Sequence, residues 1–301
     1  MGHFLEDRYL RRALAESVAA APRVTRRDGA QVVAQSVEPG GVTVTLASGE
    51  QVSARLLVGC DGRGSGVAGR AGIRRTGWDY GQTGLVASLE HEQPHHGVAH
   101  QFFMPEGPIG ILPLPGNRSS IVWTERSERA ETINALDDAE YLTALRPRFG
   151  DFLGEISLIG KRFSYPLGLS LANRMVDDRM ALVGDAAHGI HPLAGQGLNL
   201  GLRDVAALAE VAIDARRRGE DIGAQDVLGR YQKWRRFDAT QLAVATDGLN
   251  RLFSNDNPLL RLGRDLGLAA VNAAPTLRRR FMREAAGLTG DLPRLLRGRP
   301  I

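Results

Sequence analysis

The stretch from Arg179 to Val205 reads RMALVGDAAHGIHPLAGQGLNLGLRDV, and it concentrates the residues best suited to chemistry. An apolar strand over Met180–Val183 runs into Gly184-Asp185, which places a carboxylate at the carboxyl end of a strand, the edge where open α/β sheets bind ligands. A carboxylate there suits the hydroxyls of a ribityl or ribose chain. Ala186 and Ala187 keep the turn thin, and Pro192 fixes its own φ and holds His191 extended. Gly195 and Gly197 let a backbone approach closely and leave the amides of the next helix start free. With the helix dipole, those amides can hold an anion or an electron-rich ring edge. Gln196 and Leu198 lie within this run, and Asn199 adds an amide that both donates and accepts. The plainer reading is a helix cap whose glycines serve only turn geometry.

A second acid turn precedes it. Strand Leu56–Cys60 ends in Asp61-Gly62, followed by a short helix begun by Ser65. Asp61 can accept from backbone amides or from ligand hydroxyls, and alone an Asp-Gly pair is an ordinary turn. The same segment contains Gly64, Gly66 and Gly69, a formal G-x-G-x-x-G. A dinucleotide fingerprint sets its glycines in the tight strand-to-helix turn, with the helix N-terminus on the pyrophosphate. Here five residues separate Val58 from Gly64, and the following helix must end before Gly72 and Gly77. The match is therefore taken as a decoy.

Other chemistries find little support. His188 and His191 bracket a turn without a third ligand at useful spacing, so they are expected to be wall or hydrogen-bonding residues and no metal is expected. Ser65 and Ser170 lack the G-x-S-x-G elbow of a serine hydrolase. His91, His95, His96 and His100 fall in a polar loop and are expected to be solvated. Cys60 is the only cysteine, which removes disulfide scaffolds and suits a reducing cytoplasm.

The elements that must position these residues follow from pattern. The chain opens inside a helix with Leu5, Tyr9, Ala13, Leu14 and Val18 on one face, ended by Pro22. A β meander follows to about residue 60, with turns at Pro39-Gly40-Gly41 and Ser48-Gly49. More strands occupy residues 83–125, a helix covers Asp137–Phe149, and Lys161–Leu167 is another strand. Gly197–Arg218 reads as a long helix with Leu198, Leu202, Val205, Leu208 and Ala212 in phase. Val227–Asn250 is a second, and the tail from Pro258 holds two shorter ones. No run of 18 apolar residues marks a membrane span.

The chain has 301 residues and a net charge of +4; all but two of its 38 basic residues are arginine, and coding bias accounts for that as well as a ligand does. No basic stripe interleaves with aromatics, so no nucleic-acid partner is expected. Between Ala274 and Ile301 seven arginines stand against Glu284 and Asp291. This tail suits a membrane surface or a protein partner, or simply a solvated helix.

Taken together, LLVGCDGRGSGVAGRAGI and RMALVGDAAHGIHPLAGQGLNLGLRDVAALAE resemble two signatures of flavin-dependent aromatic hydroxylases. More narrowly, GHFLEDRYLRRAL, GPIGILPLPGNRSSIVW and KRFSYPLGLSLANRM resemble the ubiquinone-biosynthesis hydroxylases, over residues 1 to about 250. The resemblance implies a mixed α/β fold. Residues 1–75 and 160–250 would form an FAD-binding, Rossmann-like domain, 76–159 an inserted antiparallel β substrate domain, and 251–301 a helical tail.

It further implies FAD as cofactor, NAD(P)H as co-substrate, and O2 with a phenolic, prenylated ring as reactants. Asp185 would bind the ribityl chain. Pro192 and the backbone of Gly195, Gln196, Gly197, Leu198 and Asn199 would line the flavin ring, with Gly184 shaping the turn. Asp61 and Gly62 would lie toward the pyrophosphate. No catalytic residue is assigned. Family members begin with a strand–glycine–helix unit of about 30 residues. Nothing here precedes the first helix, so an N-terminally truncated form is expected, cytoplasmic or at the inner face of the membrane. A non-catalytic remnant or accessory subunit, and a hydroxylase of a small soluble phenol, stay open beside the main reading.

Overall fold

The computed structural model describes residues 3–254 and 258–301, with the side chains of 194, 259–266 and 285 outside the description. In chain order the elements are α1 (Asp7–Ala20), β1 (Val32–Glu38), β2 (Gly41–Leu46), β3 (Gln51–Ala54), β4 (Leu57–Gly59), α2 (Gly66–Arg70) and β5 (Arg75–His91). Then come β6 (His100–Met104), β7 (Gly107–Leu114), β8 (Arg118–Arg126), α3 (Ser127–Ala135), α4 (Asp138–Phe149) and β9 (Ile156–Ala172). The chain finishes with β10 (Val176–Asp177), β11 (Met180–Leu182), β12 (His188–Gly189), α5 (Gly197–Arg217), α6 (Gln225–Phe253), α7 (Pro258–Ala273) and α8 (Pro275–Ala285).

Two compact units are present. One contains Met1–Arg26, Asp79–Leu167 and Leu249–Met282; the other contains Arg27–Trp78, Gly168–Gly248 and Arg283–Ile301. By contact, residues 1–26 group with the β unit, and the tail is divided between the two units. No residue of α1 is buried, and Leu5, Tyr9 and Leu14 are all more than half exposed. Its apolar face is thus a surface among the described residues.

In the first unit, β9, β5, β8, β7 and β6 lie side by side in that order. β5 pairs antiparallel with β8, as does β8 with β7. Alternation sets the core: Leu85, Ala87 and Leu89 of β5 point one way with Ile121 and Trp123 of β8, and meet Tyr141, Leu145 and Phe149 of α4. The start of α4 is fixed by a reciprocal capping box, Asp137 accepting from the Glu140 amide and Glu140 reaching back to the Asp137 amide. Inside this unit Glu125 has no exposed surface, and Arg148 donates both to it (3.2 Å) and to Glu106 (3.0 Å). That Arg–Glu contact holds the Glu106 carboxyl below its ordinary range. His91 departs from the expectation of a solvated loop: it is 4% exposed, contacting the Gln93 carbonyl through Nδ1 and Ser119 Oγ through Nε2. The end of β5 extends further than its turn-like sequence suggests and carries His91 inside.

In the second unit, β1–β2–β3 form an antiparallel meander, and β10–β11–β4 form a small sheet in which β11 and β4 run parallel. A core of Val67, Ala68, Met180, Ala181, Leu182, Ala207, Val211, Leu228 and Tyr231 joins α2, α5 and α6 to this sheet. Tyr231 Oη donates to the Leu182 carbonyl at 2.8 Å, satisfying its one polar atom in the core. α5 is turned from its expected orientation. Of the expected apolar face Leu208 is buried and Ala212 half-buried, but Leu198, Leu202 and Val205 are 59%, 47% and 51% exposed. The buried face instead runs Leu200, Asp204, Ala207, Leu208, Val211, Ala215. The rotation brings a charged residue inside, and the next subsection gives the reason.

Candidate functional site

β11 and β4 are in register Met180↔Leu57 and Leu182↔Gly59, so the two acid turns leave neighbouring parallel strands at the same edge. The Val183 amide extends the pairing to the Gly59 carbonyl at 3.0 Å. Gly62 and Gly184 sit at φ +80° and +63°, a conformation that favours glycine and turns each chain sharply off its strand. Asp61 and Asp185 thereby follow the ends of two adjacent parallel strands, though far apart in sequence.

Their environments differ. Asp61 accepts from Ser65 Oγ (2.5 Å) and the Val67 amide (3.1 Å), and Ser65 Oγ accepts from the Ala68 amide. Partial burial opposes its charge, but these hydrogen bonds outweigh that and hold the carboxyl below its ordinary value. Asp61 therefore serves the start of α2. The five-residue length of that helix agrees with the reading of Gly64, Gly66 and Gly69 as a decoy.

Asp185 is half exposed, and one oxygen takes a 3.2 Å bond from Arg63 Nε. The same guanidinium donates to the Ile190 carbonyl at 3.0 Å, tying the two ends of the turn together. Arg75 supports the turn from its backbone, donating to the carbonyls of Asp185 and Ala186 and to Ser170 Oγ. Burial lowers the pKa of Arg75, with Asp185 opposing. Neither arginine was singled out from sequence. The signal available was only an Arg after Asp61-Gly62 and an Arg-Arg pair before Thr76, neither of which announces a partner more than 100 residues away.

The third missed residue is Asp204. It has no exposed surface and gathers three donors: the Gly184 amide (3.1 Å), His188 Nε2 (2.5 Å) and Arg235 Nε (2.8 Å). Arg235, equally buried, passes on to Asp238 at 2.7 Å. Asp204 thus clamps the base of the Gly184-Asp185 turn to α5 and α6. A Cβ on Gly201 would stand 3.3 Å from the Gly184 Cα, so the helix and the turn touch backbone to backbone. This is why α5 presents Asp204 inward: the close approach at Gly201 and the three donors fix its rotation.

Beyond the turn, His191 is 1% exposed and its Nδ1 accepts from the Leu193 amide at 3.1 Å, capping the 3-10 turn Pro192–Ala194. Burial, with help from Arg63, pushes its pKa down to about 4, so the ring is neutral near pH 7. Gly195 adopts φ +60°, and α5 begins at Gly197 with no side-chain cap on its first turn. A Cβ at Gly195 or Gly197 would meet nothing within 4 Å, so the space before these residues is open. The sequence-selected residues of this region form two neighbouring groups. Gly184 and Asp185 stand on the turn, and Pro192, Gly195, Gln196, Gly197, Leu198 and Asn199 form the approach to α5.

A half-exposed carboxylate at a strand end beside an uncapped helix start and two open glycines offers the acceptors and donors that a polyhydroxyl chain joined to an electron-rich ring would need. The open space, the uncapped amides and the half-exposed Asp185 all fit the flavin half of FAD. No helix among the described residues is long and apolar enough to cross a membrane.

The fold is that of the FAD-binding monooxygenases. It is similar to p-nitrophenol 4-monooxygenase PnpA of Pseudomonas putida, with TM-score 0.78 and 20% identity over 95% of this chain and 73% of that one. It is also similar to OxyS anhydrotetracycline hydroxylase of Streptomyces rimosus, with TM-score 0.72 and 25% identity over 96% of this chain and 58% of that one. Residues 3–246 match the FAD binding domain family, and the chain belongs to that family. Among curated relatives it is 48% identical to ubiquinone hydroxylase UbiL of Rhodospirillum rubrum, over 100% of this chain and 71% of the relative. It is 36% identical to 3-demethoxyubiquinol 3-hydroxylase of Escherichia coli, over 96% of this chain and 73% of the relative.

Proposed function

We propose that the chain is an FAD-dependent monooxygenase that hydroxylates the ring of a polyprenylated phenol in ubiquinone biosynthesis, with NAD(P)H and O2 as co-substrates. The observation that supports this reading is the half-exposed Asp185 turn beside the uncapped start of α5, in a chain 48% identical to a ubiquinone hydroxylase over 71% of that relative. FAD bound there would supply the redox chemistry that couples NAD(P)H and O2 to ring hydroxylation, with one oxygen atom going to the ring and the other to water.

The protein residues bind and orient. Asp185 accepts from the ribityl hydroxyls, and Arg63 holds that carboxylate in place. The amides of Gly197, Leu198 and Asn199, with the dipole of α5, would favour negative charge on the pyrimidine edge of a bound flavin. Pro192 and Gly195–Asn199 line the ring face, with Gln196 at the helix entry. Asp61 orders α2 and, with Gly62, lies toward the pyrophosphate. His191, buried and neutral, keeps the turn shaped without adding a charge. At the other end of the chain, α8 exposes Leu277, Phe281 and Met282 among Arg278, Arg279, Arg280 and Arg283. This arrangement suits an anionic bilayer surface, from which a lipid phenol is drawn.

The test is flavin retention and oxygen transfer. The chain purified with FAD should show the two visible flavin bands and convert a polyprenylated phenol to a product carrying one atom from labelled O2. Asp185→Ala should lose the bands on gel filtration, and retention equal to the parent would remove the central assignment.

A further inference from the structure

The unit that holds the acid turns contains a half-open cavity of about 190 Å³ that the flavin reading does not use. Its polar wall is Thr76, Asn173, His188, Arg236 and Thr240, and Met175 and Ala239 contribute to its apolar part. The volume is below the roughly 300–1,000 Å³ of sites for drug-sized ligands, so neither a dinucleotide nor a prenyl chain fits.

The polar groups are nearly all donors. Arg236 is exposed and makes no ion pair among the described residues, in contrast to its neighbour Arg235, which is fully buried against Asp204. Thr76 Oγ1 donates to Asn173 Oδ1 at 3.0 Å, which fixes the amide so that its NH2 remains a donor. His188 is 2% exposed; its Nε2 is committed to Asp204, and its Nδ1 is buried without a hydrogen-bond partner among the described residues. No Asp or Glu lines the cavity. A guanidinium, an amide NH2 and a hydroxyl beside an apolar floor select an acceptor-bearing anion on a compact apolar body.

We propose that this cavity is a second ligand site, for a small organic carboxylate. The carboxylate is held by Arg236 with Asn173 and Thr240, and the apolar body lies on Met175 and Ala239. Arg236 supplies charge-assisted, bidentate recognition. The proposal does not rest on flavin binding.

The experiment is calorimetric titration of the full chain, without added flavin, using benzoate, benzyl alcohol and inorganic phosphate as probes. Benzoate should bind one to one, and benzyl alcohol and phosphate at least tenfold more weakly, since each lacks half of the recognition. Arg236→Ala, a surface change that leaves the fold intact, should weaken benzoate at least tenfold. Thr240→Trp should fill the cavity and abolish binding. Benzoate should also shift the imidazole resonances of His188 in histidine-labelled protein. Absence of saturable benzoate binding, equal binding of phosphate, or benzoate binding unchanged in Arg236→Ala would each overturn the proposal. A chain that binds benzoate as described but takes up no FAD would leave this site standing and reject the flavin reading.

Discussion

Removing the carboxylate of Asp204 tests whether the Gly184-Asp185 turn is held from behind. Asp204 has no exposed surface, and its two oxygens accept from the Gly184 amide, His188 Nε2 and Arg235 Nε. Arg235 is as deeply buried, and without Asp204 it keeps only Asp238. Breaking a buried pair by deleting one member costs about 3–5 kcal/mol, because a charge is left without its partner. Asp204→Ala falls in that class and adds an unmatched Gly184 amide. Asp204→Asn is the sharper probe. It conserves volume, but one of its two terminal atoms is now an NH2, so at least one of the three donors faces another donor. The expected loss for Asn is about 2–3 kcal/mol, combining an unsatisfied buried donor with the lost charge. At roughly 2–4 °C per kcal/mol for a chain of this size, Asp204→Asn should melt roughly 4–12 °C lower by circular dichroism. Flavin affinity should fall with it, since the turn carrying Asp185 loses its anchor while Asp185 itself is untouched. Asp204→Asn with a melting point and flavin dissociation constant equal to the parent would refute the clamp.

Three further outcomes follow from the geometry. His191 has its folded pKa depressed to about 4, below an unfolded value near 6.5. The unfolded chain therefore binds the extra proton first: this residue's contribution to stability is complete above about pH 6.5 and is lost as pH falls toward 4, by about 3 kcal/mol. His191→Gln should flatten urea-denaturation stability across that window, and an unchanged slope would show that another group titrates there. Arg148→Met leaves the fully buried Glu125 only its 3.8 Å contact with Arg129, and should cost about 2–4 kcal/mol. The double change Arg148→Met/Glu125→Gln should recover most of that, so additivity of the two single effects would argue against coupling. Gly201→Val places a Cβ 3.3 Å from the Gly184 Cα, and should cost about 1–3 kcal/mol and weaken flavin binding; unaltered flavin affinity would show that the turn tolerates displacement.

What sequence could reveal depended on whether the determining partners were local. The Asp137 capping box and the Ser65 start of α2 are contained within four residues, and both are visible as motifs. The Asp185 turn was likewise legible, because an apolar strand, an acid and spaced glycines follow one another directly. The residues that hold that turn were not. Arg63 reaches Asp185 from 122 positions away, and Arg235 reaches Asp204 from 31. Helical periodicity reads only the apolar stripe, and it chose Leu198, Leu202, Val205, Leu208 and Ala212 as the inward face. The fold keeps Leu208 inside but turns Asp204 inward and Leu198, Leu202 and Val205 outward, because three buried donors converge on one carboxylate and because Gly201 admits the backbone of Gly184. Apolar patterning carries no information about either. An acid seven residues after a glycine-rich helix start, with a buried arginine on the next helix, can override an apolar stripe in deciding a helix face. There, a buried ion pair sets the rotation and leaves most of the stripe as surface.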